Sequence, residues 1–351
     1  MSSDQMARSV LRAAGIRNPS RLVNLIEHTI TTLHLDLRGF TIVTEAASGP
    51  YVVTPIIAAL ANADRVLALT RDSRFASADQ VIEQTNALAN LCGVSNSIQI
   101  ATERRMDFFA EADIVTNLGF VRPIDARTIA VMKSGVVVSL MHDSWEFRPG
   151  DVDIDACRAH GIRVSGTNED FPGLDIFSYC GCLCQKLLFD AQIELHKSKV
   201  VIVSSDKFGL VIVDYLAKCG CDAYLVPKAS DLVNLHDLDA LVIADYTRDD
   251  LILGKGGELE PEILMRCAPG LTIIQFAGLL AVDELQAAGL TVYPGIHLEP
   301  HRMAVTLAGL GPRPVVELHA AGLKVGELVA KQFRGQSINN DPYFQLVQHI
   351  A

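Results

Sequence analysis

The stretch KVVIVSSDKFGLVIVDYLAKCGCDAYLVPK, Lys199–Lys228, decides how the chain is read. Val200 to Val203 is a β-branched run, Phe208 to Cys219 carries apolar residues at helical spacing, and Ala223 to Val226 is a second short apolar run. The order is therefore strand, tight turn, helix, strand. A unit of this kind that holds a dinucleotide carries G-x-G-x-x-G in the turn. Here only the last glycine, Gly209, is present, and Ser204 and Asp206 stand in the first two places. The second glycine matters because it lets a pyrophosphate approach backbone amides at the start of a helix, where the dipole favours an anion. A carboxylate at Asp206 opposes that anion. The acid that grips a ribose diol at the end of the second strand is also missing, since Val226 is followed by Pro227 and Lys228. Ser204, Asp206, Phe208 and Gly209 are the candidate cofactor residues. The competing reading is an α/β unit that packs without a nucleotide.

The 351 residues suffice for two domains with a core each. A hydrophobic share of 49% and a charged share of 20% are those of a globular protein. The formal net charge of -11 argues against nucleic acid as a partner, because phosphate recognition wants clustered Lys and Arg. MSSDQMARSV lacks a basic-then-apolar leader pattern, and the apolar run near Leu271–Val282 is broken by Gln275 and too short to span a bilayer. The expectation is a cytoplasmic protein with a small-molecule partner and no membrane association. Cysteines stand at Cys92, Cys157, Cys180, Cys182, Cys184, Cys219, Cys221 and Cys267. The run Cys180-Gly-Cys-Leu-Cys184 invites a metal reading, but no paired C-x-x-C or H-x-x-x-H accompanies it. Its apolar setting, Ile176 to Phe189, favours close packing of small thiols, so no metal is expected.

Residues 1 to 38 read as helices, with Asp4 a candidate cap and Pro19-Ser20 opening a second helix through Thr32. From Gly39 the chain alternates: strands at Phe40–Thr44, Arg65–Thr70, Ile98–Ala101, Ile114–Thr116, Val136–Leu140 and Ile162–Ser165, with helices between. Such alternation predicts a parallel sheet covered on both faces, and ligands of such sheets bind beyond the carboxyl ends of the strands. The residues there are polar at nearly every exit. They are Thr44 and Glu45 with Ser48, Gly49 and Tyr51; Arg71 and Asp72; Asn117 and Arg122; His142, Asp143, Trp145 and Glu146; and Thr167, Asn168 and Glu169. Glu45, Ser48, Gly49, Tyr51, Asn117, Arg122, Trp145, Asn168 and Glu169 are candidate substrate residues, and His142 a candidate catalytic one. Turns collect polar residues anyway, so it is the coincidence on one edge that carries the reading.

Several segments in order resemble the D-isomer-specific 2-hydroxyacid dehydrogenase superfamily. They are Ala112–Asn117, Val136–Leu140, Asp151-Val-Asp-Ile-Asp-Ala-Cys-Arg-Ala-His-Gly-Ile-Arg-Val164, the 199–228 unit, Ala240–Asp245, Pro269–Ile274 with Val282-Asp-Glu284, Val292–Gly295, Pro300-His301 and a final helix from Val315 to Phe333. The resemblance spans roughly two thirds of the chain. It implies an α/β protein of two Rossmann/flavodoxin-like lobes with parallel sheets. Residues 1–172 plus 302–351 would form a discontinuous, flavodoxin-like substrate lobe, and 173–301 a Rossmann-like nucleotide lobe. It also implies NAD or NADP, a small polar substrate between the lobes, and a homodimer. In that superfamily a histidine after a proline near the end of the nucleotide lobe exchanges the proton, which His301 matches in Glu299-Pro-His-Arg302. Its acidic partner would be Glu299, Asp283 or Glu284. The arginine that clamps the substrate carboxylate is absent, since that region reads Gln275-Phe-Ala-Gly278.

Two functions follow: a nicotinamide-dependent oxidoreductase, or a binding or non-redox protein that kept the fold and lost the cofactor. A further arrangement puts the nucleotide in the first lobe, with Ser48-Gly49 as the turn and Asp72 on the ribose.

Overall fold

A computed structural model describes residues 2–234 and 237–350, without the side chains of Asn234 and Cys267. The chain divides into two compact units, Met1–Leu174 with Gly311–Ala351, and Asp175–Leu310.

In the first unit, six β-rich segments form β1 (Thr41–Glu45), β2 (Arg65–Leu69), β3 (Ile98–Ala101), β4 (Ile114–Thr116), β5 (Val137–Ser139) and β6 (Arg163–Thr167). They pair in parallel in the order β3-β2-β1-β4-β5-β6, and a C-terminal strand, Val347–His349, closes the β6 edge antiparallel. Parallel strands covered on both faces must be apolar throughout, as Ile42, Val43, Val115, Val137 and Val138 are, each fully buried. The order is the doubly wound 3-2-1-4-5-6 arrangement, whereas the resemblance implies a flavodoxin-like order for this segment. Alternation of strand and helix predicts a parallel sheet but not the side of β1 on which the next strand inserts. That choice is made by long-range packing.

Helix α1 (Ser3–Ala13) is capped by Ser2 in a capping box with Gln5, not by Asp4. Asn18 and Pro19 start α2 (Pro19–Thr32) as the sequence suggests. The long C-terminal helix, Pro312–Phe333, packs on α2, on α3 (Val53–Leu60) and across β4, β5 and β6. Glycine makes that approach possible: a Cβ on Gly326 would stand 2.6 Å from Ile114 Cγ2.

The same helix buries a charge network. Lys324, 2% exposed, donates to the His34 carbonyl and to Glu327 Oε1, both at 3.0 Å. Glu327 also accepts from Lys331 and from the Asp36 backbone amide. Lys324→Met keeps the volume but strands the His34 carbonyl, while Glu327 retains two donors. The expected cost is about 2 kcal/mol, below that of orphaning a buried charge outright. A lower urea midpoint at unchanged slope would report it, and an unchanged midpoint would contradict it.

The second unit carries β7 (Lys199–Val203), β8 (Asp222–Val226), β9 (Ala240–Ala244), β10 (Leu251–Leu253), β11 (Thr272–Ala277), β12 (Leu279–Leu280) and β13 (Thr291–Tyr293). Its main sheet is parallel in the order β8-β7-β9-β11-β13, a 2-1-3-4-5 arrangement, and β10 pairs with β12 apart from it. Both units are therefore Rossmann/flavodoxin-like α/β layers. Helices Ser178–Asp190 and Lys207–Lys218 cover one face through Cys180, Cys184, Leu187, Ile212 and Leu216. Among the described residues no helix is long and apolar enough to cross a membrane, and no group of three or more His, Cys, Asp or Glu is placed to hold a metal ion.

Candidate functional site

In the second unit the chain leaves β7 toward β8 on one side and β9 on the other, which puts the switch point of the sheet at the carboxyl ends of β7 and β9. Asp206 sits there as N-cap of the helix Lys207–Lys218. One carboxylate oxygen accepts from the Phe208 amide at 2.9 Å and the Ser204 hydroxyl at 3.1 Å. The other accepts from the amides of Tyr246 at 2.6 Å and Thr247 at 3.3 Å, beyond β9. Asp245 returns the contact, taking the Ser205 amide and hydroxyl at 3.0 Å each. Each strand exit thus lends its carboxylate to the amides of the other. Burial pushes the Asp206 carboxyl above its ordinary range, as does the Asp245 charge, while the amides pull it back.

This arrangement tests the nicotinamide expectation. A pyrophosphate at this turn needs the amides at the start of the helix, and Asp206 already holds that of Phe208 with a carboxylate, while the Gly209 amide donates to the Ser204 hydroxyl. Phe208 points into an aromatic core with Phe177, Tyr246 and Phe276 at ring separations of 5.6 Å, not toward a ligand. Gly209 is required for packing, since a Cβ there would lie 2.5 Å from Ser204 Cβ. As built, the turn Ser204–Gly209 does not fit NAD or NADP.

His301 joins the same edge. Its Nδ1 meets the Tyr246 carbonyl at 3.1 Å, and its Nε2 meets Asp249 Oδ1 at 3.0 Å. Its backbone φ is 56°, in the left-handed region that non-glycine residues seldom adopt. The carboxylate on His301 therefore belongs to Asp249, which sequence reading did not single out. Glu299 is exposed, Glu284 accepts from the Lys255 amide, and Asp283 lies 3.7 Å from His297. The only sequence signal for Asp249 is its place in the polar run after β9.

The first unit has its own switch point, between β1 and β4. Glu45, at the end of β1 and 6% exposed, accepts from the Phe120 amide at 3.0 Å. Burial pushes its carboxyl upward, against the pull of that amide and of Arg122. Beyond β4, Asn117 accepts from the Met141 amide at 2.8 Å, so its NH2 faces His142 Nε2 at 2.9 Å. His142 Nδ1 then donates to the Asp143 carbonyl at 2.8 Å, which assigns the neutral Nδ1–H tautomer. Burial lowers its pKa to about 4, and the charges of Arg148 and Arg122 act in the same direction. Arg122 pairs with Asp151, and Glu169 accepts from the Asp143 amide at 3.2 Å.

Glu45, Asn117, Arg122, His142 and Glu169 therefore share one edge of their unit. The other candidates there have different employment. Asn168 donates from its side chain to the Gln345 carbonyl, holding the C-terminal segment. The Gly49 amide donates to Gln84, Ser48 precedes a 3-10 turn without a side-chain cap bond, and the Tyr51 ring lies 5.9 Å from His319. Trp145 is 37% exposed in the turn Ser144–Glu146. Asp72, the candidate ribose ligand, accepts from the Ala78 amide at the start of helix α4 (Ala78–Cys92).

No family model and no curated protein matches the chain. Among solved structures it is similar to a dipicolinate synthase component from Bacillus halodurans at 13% identity, covering 85% of this chain and 99% of that one, with a TM-score of 0.48. It is also similar to an NAD-dependent formate dehydrogenase from Staphylococcus aureus in complex with NAD, at 13% identity over 82% and 99% of the two chains and a TM-score of 0.45. A D-2-hydroxyisocaproate dehydrogenase follows at 13%, 85% and 98%, with a TM-score of 0.44. At such identities the likeness is one of fold.

Proposed function

We propose that the chain keeps the build of a two-unit oxidoreductase while its nucleotide turn no longer takes NAD or NADP, which leaves a protein that holds a small polar ligand. The carrying observation is Asp206, whose carboxylate fills the amide cradle between the exits of β7 and β9. Glu45 does the same with the Phe120 amide in the first unit, which sets a carboxylate where a phosphate would seek that amide. Titration calorimetry tests the reading. The native protein is expected to bind NAD weakly or not at all, and Asp206→Gly to strengthen binding by an amount on the order of 1 to 3 kcal/mol, through removal of a like charge and release of the amides. Asp206→Asn, which keeps the cap bond, separates charge from backbone freedom. Sub-micromolar NAD binding by the native protein would overturn the proposal.

A second reading is favoured by His301. An imidazole fixed through Nδ1 to a carbonyl at a switch point can exchange a proton with a hydroxyl or carbonyl oxygen once its Nε2 leaves the exposed Asp249 carboxylate, as an oxidoreductase on a small polar substrate requires. Thermal-shift screening against NAD, NADP and small hydroxy and oxo compounds separates the two, since only a ligand of the folded state raises the midpoint. The homodimer implied by the resemblance is checked by light scattering of the same sample.

A further inference from the structure

The first unit also has a recess at the edge opposite its strand exits. There, where Phe40, Asp113 and Gly135 stand just before β1, β4 and β5, a cavity of about 240 Å3 opens against the end of the helix Pro312–Phe333. Phe40, Ala330 and Phe333 make its apolar wall, while Asp113, Ser134 and Arg334 make its polar one. Phe333 stays 37% exposed although Val329 and Ala330 before it are buried, so an aromatic ring is left open to the recess. A Cβ on Gly135 would stand 3.8 Å from Phe333 Cγ, which sets the turn before β5 against that ring. A dry cavity of about 150 Å3 is enough for benzene. The larger one here has room for a ring and a small polar group.

The polar wall decides which group. Arg334 Nη2 donates to the Gly39 carbonyl at 2.8 Å and to Asp113 Oδ1 at 3.2 Å, and the guanidinium lies 4.0 Å over the Phe40 ring. Among the described residues its Nε and Nη1 have no acceptor, and the Ser134 hydroxyl has no partner. Asp113 is already answered on both oxygens, by Lys133 at 2.9 Å as well as Arg334 on Oδ1 and by the Thr41 amide at 2.8 Å on Oδ2. Arg163 lies 4.4 Å over the Phe333 ring, and Asp64 accepts the Gly39 amide at 2.8 Å. Three cations, Arg334, Lys133 and Arg163, thus meet two carboxylates, Asp113 and Asp64. The remainder is one positive charge with N–H groups to spare, which suits a carboxylate.

We propose that this cavity binds a small monocarboxylate that carries a ring, its carboxylate on Arg334 and Ser134 and its ring against Phe333 and Ala330. The cavity shares no residue with the edge of Glu45, Asn117 and His142, so its occupant is separate from the small polar ligand proposed above.

The test titrates the full chain into para-fluorobenzoate and follows the fluorine NMR signal. Saturable broadening with a Kd on the order of 1 mM or below is expected, the range open to so small a ligand. Para-fluorobenzamide, which keeps the ring without the charge, should bind roughly tenfold more weakly or worse. Acetate, which keeps the charge without the ring, should not displace the probe at equal concentration. Arg334→Met and Phe333→Ala should each weaken binding roughly tenfold, while Arg122→Met at the opposite edge leaves the Kd unchanged. Should Arg334→Met fail to fold, Lys133→Met removes a charge from the same wall, and the benzamide comparison on the native protein still decides the role of charge. No saturable binding, equal affinity for the benzamide, displacement by acetate, or binding that survives Phe333→Ala and Lys133→Met but is lost in Arg122→Met would each overturn the assignment.

Discussion

Lowering the pH from 7 toward 4 is expected to cost the first unit several kcal/mol of stability, because it folds around two histidines that resist protonation. His319, 4% exposed, has Nδ1 2.6 Å from the Thr54 hydroxyl, and burial lowers its pKa to about 4. His142 is lowered to about 4 as well, with burial the main cause. In the unfolded chain a histidine takes its proton near 6.5. The stability held by each group is therefore complete above about 6.5 and drains away as the pH falls to about 4, where the folded form binds the proton too. One such displacement corresponds to about 3 kcal/mol, and His142, being partly exposed, contributes less than His319. Glu45 works in the opposite sense, since a carboxyl raised by burial favours the folded state as it protonates. Urea midpoints at pH 7 and pH 4.5 measure the balance. His319→Gln, which keeps a hydrogen-bonding side chain that cannot titrate, should flatten the profile, and equal midpoints at both pH values in the native protein would refute the account.

How much of this is legible in the sequence differs between fold and site. The six parallel strands of the first unit and β7 and β8 of the second are visible there because a parallel sheet buried on both faces demands runs such as Val136–Leu140 and Val200–Val203. The strand Val347–His349 is not visible, because three residues of mixed polarity become a strand only by pairing with β6. At the site, the opposition of Asp206 to an anion follows from its place in the glycine turn. That it also takes the amides of Tyr246 and Thr247 depends on a contact about forty residues away in sequence. Asn117 and His142 both appear as strand exits, yet the tautomer of the imidazole is fixed only by the Met141 amide that orients the asparagine. Local patterns specify which residues reach the carboxyl edge. Hydrogen bonds between distant segments decide which of them remain available for a ligand.

His301 is where that availability meets chemistry. If a hydroxy or oxo compound proves to be turned over, His301→Ala should lower kcat/KM by roughly two to four orders of magnitude, the range for a positioned acid or base, with little change in melting temperature. His301 is half-buried, and removing the ring breaks one bond to the Tyr246 carbonyl and one pair with Asp249, which is 75% exposed. Such an exposed pair is worth little to folding. Asp249→Asn distinguishes orientation from proton exchange. It should leave the substrate KM nearly unchanged while moving the pH profile of kcat, whereas a merely structural aspartate would alter neither. Turnover that survives His301→Ala would remove the imidazole from the reaction, and the small-ligand reading would then stand without the oxidoreductase one.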